Sequence, residues 1–234
     1  MNDLTIQANT PHIKSMTDKP SRKPQPWTRR ALMTNIGVTT LGLSGLVGAA
    51  QAAVPTPWQV EGPFYPEASD LVASNADLTE RAPKGDIIDV SGRVMDRHGQ
   101  TLPRIRVELW QADAKGRYRH LRDGMAHDPN FDGFGQVTSD AEGAFAFRTV
   151  MPGAYAISST NWRTAHIHFK IWLAGRPILT TQMYFPDQKL NARDMFLPNL
   201  PPDQRDQATA SEDDQPSPFG KGATRHYGYD IHLS

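Results

Sequence analysis

No cysteine occurs among the 234 residues, which excludes disulfide frameworks, thiolate zinc sites, iron–sulfur clusters and thiol nucleophiles. Net charge is absent as well, with 25 basic side chains against 25 acidic ones. That balance hides an asymmetry. Residues 1–52 carry Lys14, Lys19, Arg22, Lys23, Arg29 and Arg30 against Asp3 and Asp18, a local excess of +4, so the remainder carries −4. A mildly acidic body without a Lys/Arg cluster is poorly suited to nucleic acid or to an anionic membrane surface. Beyond residue 60 there is also no long helical period.

What is present begins with an address. Residues 1–27 are polar and aperiodic. Thr28-Arg29-Arg30 then leads into an uncharged stretch, Ala31 to Val60, which contains the glycine-diluted apolar run Leu41–Ala50 and the small-x-small sequence Ala50-Gln51-Ala52. A basic region, an apolar region and a cleavage site together make a signal peptide over 1–52. The paired arginines resemble a twin-arginine signal and imply export to the periplasm with no stable membrane insertion after processing. The alternative, a retained membrane anchor, is opposed by Gly37, Gly42, Gly45 and Gly48.

After an N-terminal arm at 53–86 the chain reads as strands and turns. Ile87–Val94 alternates, and Asp96-Arg-His-Gly99 is a turn. Ile105–Trp110 alternates again, with Ile105, Val107 and Leu109 on one face. Further runs follow at Gln136–Ser139, Ala144–Val150, Ala154–Ile157, His166–Leu173, Leu179–Phe185 and Tyr229–Leu233. Short strands at regular spacing with Gly/Asp turns predict an all-β fold, an antiparallel β-sandwich of transthyretin or immunoglobulin type with long loops. The β-sandwich domain spans 87–234. Its Pro-rich stretch 191–226 reads as one long surface loop, with at most a helical turn.

Chemistry concentrates in Arg163-Thr-Ala-His-Ile-His-Phe-Lys-Ile-Trp172. Strand alternation puts Ile167, Phe169 and Ile171 on the core face, so His166 and His168 project together from the other. A His-x-His pair is a metal signal, although two histidines on a solvated strand face would look the same. No carboxylate follows where a cupin or a facial-triad iron site would need one, since Lys170 and Trp172 occupy that space. A copper or zinc site would need further histidines such as His98, His120 or His127, whose spacing shows no pattern. Tyrosine, as phenolate, is a hard donor suited to a trivalent iron.

The segments Gly116-Arg-Tyr-Arg-His120, Asp128-Pro-Asn-Phe131, Phe147-Arg-Thr-Val150, Pro152-Gly-Ala-Tyr155 and Trp162-Arg-Thr-Ala-His-Ile-His-Phe169 occur in this order. So do Glu61-Gly-Pro-Phe-Tyr-Pro66 and Leu179-Thr-Thr-Gln-Met-Tyr-Phe185. In these the chain resembles the intradiol ring-cleavage dioxygenases, above all the iron-bearing subunit of protocatechuate 3,4-dioxygenase. The resemblance implies a non-heme Fe(III) held by Tyr118, Tyr155, His166 and His168. It also implies a catechol-type substrate that displaces Tyr155, attack of O2 on the ring, and a cis,cis-muconate product. By the same resemblance Arg163 stabilises charge on the ring, Gln182 belongs to the pocket, and the chains assemble at least as a homodimer. Between Tyr155 and Arg163 this sequence is short and lacks the Pro-Trp pair of the protocatechuate enzymes, which leaves the catechol unassigned. A different class competes for the same turns: an exported transthyretin-like binding module without metal. It would account for the sandwich and Tyr155, but not for the grouping of Tyr118, Arg163, His166 and His168.

Overall fold

The computed structural model describes residues 53–67 and 75–234. The expected signal segment 1–52 therefore lies outside the described residues. No helix among the described residues is long and apolar enough to cross a membrane.

Two sheets enclose the core. In the first, β1 (Ile87–Met95) runs antiparallel to β4 (Ala144–Val150), with Val90 opposite Phe147 and Gly92 opposite Phe145. The second has the order β3-β2-β7-β8, formed by Phe134–Thr138, Arg106–Trp110, His166–Leu173 and Arg176–Tyr184, and all its pairings are antiparallel. A separate two-stranded ribbon joins β5 (Tyr155–Ala156) to β6 (Trp162–Arg163).

Period-two alternation explains how the sheets meet. Ile88, Val90, Phe145 and Phe147 from one sheet pack with Val107, Leu109, Ile167, Phe169 and Ile171 from the other in a single buried cluster. Phe169 is central to it. Its ring lies 6.0 Å from Phe145 and 6.3 Å from Phe147, and it stacks on Tyr229 at 5.4 Å, separations at which aromatic pairs attract. Burial of this face is the main source of stability.

The sandwich departs from the expected pattern in two ways. The first sheet is mixed, because β10 (Arg225–Gly228) and β11 (Ile231–His232) both run parallel to β1. Of these, β10 begins within the stretch read as loop, which holds its first two residues, Arg225 and His226. That stretch, 191–226, is also more ordered than its proline content suggested. It holds 3-10 turns at Asn191–Arg193 and Leu197–Asn199, then the helix α1 (Pro202–Ala208) and the short strand β9 (Ser211–Glu212). Proline at the first helical turn loses no intrahelical bond and has its φ already set, so Pro202 starts α1 where proline counts suggested irregular chain. Leu197 and Ala208 then bury themselves against Tyr184 at the end of β8.

Candidate active site

The outer face of the second sheet carries the chemistry. Because β7 alternates, His166 and His168 leave the core and point to this face, and register fixes their neighbours. Trp110, His168 and Gln182 form one cross-strand row, and His166 stands opposite Tyr184 in the next. Both imidazoles are buried nonetheless, since loops and the N-terminal arm cover them. Trp110 stacks on His168, with ring centroids 4.7 Å apart. Above the strands, Gly62 takes a left-handed φ of 75° and packs 3.8 Å from the His168 ring, measured from where a Cβ would sit.

Two loops supply tyrosines, and two glycines bring those loops together. In the β2–β3 connection, Asp113 accepts the N–H groups of Lys115 and Arg117 at 2.8 and 3.0 Å and so shapes the turn that presents Tyr118. Gly116 in that turn has φ of 76°, and a Cβ there would lie 2.6 Å from the Ala154 carbonyl oxygen. Across the contact, a Cβ on Gly153 would lie 2.5 Å from the Gly116 nitrogen. No larger residue permits this approach. The result sets Tyr118 and Tyr155 at 5.7 Å between ring centroids with perpendicular planes. Phe64 from the arm stacks on Tyr118 at 4.5 Å.

The four donors converge. The Tyr118 hydroxyl is 3.4 Å from His166 Nε2, and Tyr155 lies 5.8 Å from the His166 ring. His166 Nδ1–H donates to the Thr164 carbonyl at 2.7 Å, which fixes the tautomer and turns the Nε2 lone pair toward the tyrosines. Desolvation, reinforced by the charge of Arg163, holds the His166 pKa well below its ordinary value; burial and then His166 do the same for His168. Burial pushes the Tyr118 phenol well above 10, with a further rise from Tyr155, and raises Tyr155 as well. Without a cation the group is therefore two neutral imidazoles and two neutral phenols.

This set fits a hard trivalent cation. Two donors each about 2 Å from one ion sit roughly 3 Å apart, and the Tyr118–His166 separation is of that size. A buried phenol with so high a pKa ionises only for a strong Lewis acid. The Nδ1 of His168 is buried without a hydrogen-bond partner, unlike a histidine that merely satisfies the core. Histidine-rich copper or zinc sites find no support: among the described residues no group of three or more His, Asp or Glu is placed to hold a metal. His98 bonds to Arg97 in an exposed turn, and His120 faces Glu67 at 3.3 Å.

Arg163 and Gln182 join the four donors. The Arg163 guanidinium, buried on β6, donates from Nε to Asp194 Oδ2 at 2.8 Å and from Nη2 to Gln182 Oε1. Burial alone would lower its pKa, but Asp194 and the neighbouring phenols outweigh this and raise it, so the group is a fixed cation. Gln182 is held in turn by the Val60 carbonyl at 2.9 Å and the Tyr184 hydroxyl at 3.2 Å. Tyr184 also donates to Gln59 at 2.9 Å.

Sequence reasoning missed Asp194, Tyr184, Gln59 and Trp110. Asp194 lay in the Pro-rich stretch read as loop. Tyr184 and Trp110 alternate onto the outer face in register with the histidines, which strand pairing would have revealed but a single strand could not.

The profile of a family described as Dioxygenase matches residues 60–234. The beta chain of protocatechuate 3,4-dioxygenase from Burkholderia cepacia is 38% identical over 173 residues, 68% of this chain and 73% of that protein. A 6-chlorohydroxyquinol 1,2-dioxygenase from Cupriavidus pinatubonensis is 34% identical over 160 residues, and the match spans 62% of this chain but only 56% of that protein. Among solved structures, the dioxygenase domain of a dioxygenase–carbohydrate-binding protein fusion from Streptomyces sp. SirexAA-E superposes with TM-score 0.57 at 29% identity, covering 77% of this chain and 99% of that one. Hydroxyquinol 1,2-dioxygenase from Pseudomonas putida reaches TM-score 0.60 at 23% identity, over 78% of this chain and 68% of that one, and speaks for the fold alone.

Proposed function

Since this chain belongs to the intradiol ring-cleavage dioxygenase family, we propose that it opens a catechol-type ring with O2 to a cis,cis-muconate at a non-heme Fe(III) held by Tyr118, Tyr155, His166 and His168. The observation that carries this reading is the meeting of two phenols and two neutral imidazoles, with the Tyr118 hydroxyl 3.4 Å from His166 Nε2. Fe(III) held by these four residues would supply Lewis acidity toward the two phenols and toward the hydroxyls of a catechol.

The protein's own groups divide the remaining work. Tyr118 is fully buried, stacked under Phe64, and stays in place. Tyr155 is only partly buried and sits on the two-residue strand β5, so its phenol oxygen is the one placed to exchange a proton with a substrate hydroxyl. Arg163 is opposite Tyr155 in the ribbon register. Its fixed charge offsets negative charge as it develops on the ring, and Gln182 holds the guanidinium from the far side. The arm residues Gly62 and Phe64 close over His168 and Tyr118 and exclude water.

A visible spectrum tests the reading. Ferric-loaded protein is expected to show a tyrosinate-to-iron band that shifts when a simple catechol is added without air. Protein that stays colourless after ferric loading would return the sandwich to the metal-free binding-module class. The Arg29-Arg30 segment supports periplasmic export, and Arg29→Lys with Arg30→Lys should leave the protein in the cytoplasmic fraction. Assembly at least as a homodimer belongs to the same proposal, and sedimentation at monomer mass would remove it.

A further inference from the structure

The Asp194 carboxylate, on the chain segment between the two 3-10 turns, is fully enclosed and accepts hydrogen bonds at both oxygens. Oδ1 takes the backbone N–H groups of Phe196 and Leu197, at 2.9 and 3.1 Å, and so caps the turn that follows. Oδ2 takes Arg163 Nε at 2.8 Å and the backbone N–H of Thr164 at 3.0 Å. The Thr164 carbonyl, on the same residue, receives His166 Nδ1–H. Phe196, the second residue after Asp194, lies under the Arg163 guanidinium, 4.6 Å from its carbon to the ring centroid. One carboxylate thus touches both the cation and the backbone that orients an imidazole.

We propose that Asp194 is a positioning residue for ring cleavage: it aims Arg163 toward Tyr155 and, through Thr164, keeps His166 turned toward the tyrosines. This rests on the reading of Arg163 given under Proposed function. A guanidinium has five donors in a rigid fork, and fixing the Nε edge fixes where the other edge faces. Tyr184 and Gln182 hold Nη2. Asp194 supplies the only ion pair to Arg163 among the described residues. Without it the buried cation would turn toward the remaining acceptors and leave the ring. The Pro-rich segment therefore contributes to the site although none of its residues lies among the four donors. Proline-started α1 and the buried Leu197 and Ala208 anchor the segment against Tyr184, which gives Asp194 a fixed origin.

The test is a double-mutant cycle on ferric-loaded protein with Asp194→Asn and Arg163→Ala, read alongside a measurement that needs no metal. In the parent, the Arg163 Nε–H is expected as a slowly exchanging 15N resonance that disappears or shifts in Asp194→Asn. An Nε–H exchanging as fast as that of a surface arginine in the parent would overturn the proposal whether or not the variant folds. In turnover, Asp194→Asn should lower kcat about 30-fold or more with KM little changed and iron retained. In the Arg163→Ala background the same change should cost clearly less, because the share that passes through Arg163 is already gone and only the share through Thr164 and His166 remains. Equal losses in both backgrounds would make Asp194 a structural residue only. Failure of the parent to bind iron or catechol would count against the proposed function instead, and would leave the resonance test standing.

Discussion

The two faces of strand β7 carry opposite kinds of order. Inward, Ile167, Phe169 and Ile171 are held by shape, interleaved with Val107, Leu109 and Phe145 in a cluster whose only polar side-chain groups are the hydroxyls of Tyr227 and Tyr229. Outward, His166 and His168 are just as buried but are held by directed contacts: the Thr164 carbonyl, the flat face of Trp110 and the Tyr118 hydroxyl. The inner face stabilises the fold and tolerates no chemistry. The outer face, closed by loops and an arm, holds polar groups out of water at a cost that the inner face offsets. Stability and activity should therefore separate cleanly between residues adjacent in sequence.

The largest effect should come from the outer face. Tyr118→Phe or His166→Ala is expected to reduce kcat by three orders of magnitude or more, about 4 kcal/mol or more in barrier height. Thermal melting of the metal-free protein should move little. Full oxygen consumption by an iron-loaded variant of either would remove those residues from the ligand set. Arg163→Ala should keep the iron and the colour yet lose about 10²- to 10³-fold in kcat, the scale of one preorganised charge. Iron content measured beside rate separates the two cases.

Phe169→Ala, one residue from His168, should act on the other quantity. Removing a fully buried ring costs about 3–5 kcal/mol of folding free energy, read by denaturant titration. Activity per folded molecule should remain within a few-fold. A large loss of kcat at full folding would mean that the two faces are mechanically coupled and would break the comparison.

This division also explains what the sequence disclosed. The inner face wrote itself as period-two alternation, so all eight of the expected runs overlap strands in the structure, and β7 could be placed with its histidines outward. Tyr118, Tyr155, Arg163 and Gln182 were marked by ordered family segments, not by periodicity, and the structure sets them around the histidines. Asp194 and Gln59 carried no local signal, and Tyr184 lay inside a family segment without being singled out. Each matters through a partner more than nineteen positions away, as with Arg163 and Asp194 at a separation of 31 or Gln59 and Tyr184 at 125. Parallel pairing of β10 with β1 was hidden for the same reason, since a return of more than a hundred residues leaves no mark on either strand.

Gly116→Ala lies between the extremes. The added methyl meets the Ala154 carbonyl oxygen at 2.6 Å and requires a left-handed φ of 76°, a strain of about 1–3 kcal/mol. It should separate the Tyr118 and Tyr155 loops, so iron affinity should fall more than melting temperature. Unchanged iron binding with a lowered melting temperature would show that the tyrosines do not depend on that glycine contact.

The smallest effects distinguish how the arm is held. Gln59 is buried and makes directed bonds to Tyr184, to the Gln182 carbonyl and to Thr181. Glu61, two residues on, pairs with Lys170 at 2.6 Å, but 41% of its side chain is exposed. Gln59→Ala takes the nearer acceptor from the Tyr184 hydroxyl and the side-chain donor from the Gln182 carbonyl and should cost about 1–3 kcal/mol, with a rise in KM as the arm loosens over His168. Glu61→Gln removes a screened pair worth about 1 kcal/mol or less and should leave KM unchanged even at low salt. If Glu61→Gln proved the more damaging of the two, the arm would be clamped by charge at its rim. Added salt would then open the site, whereas an arm held by Gln59 should stay closed at any ionic strength the fold survives.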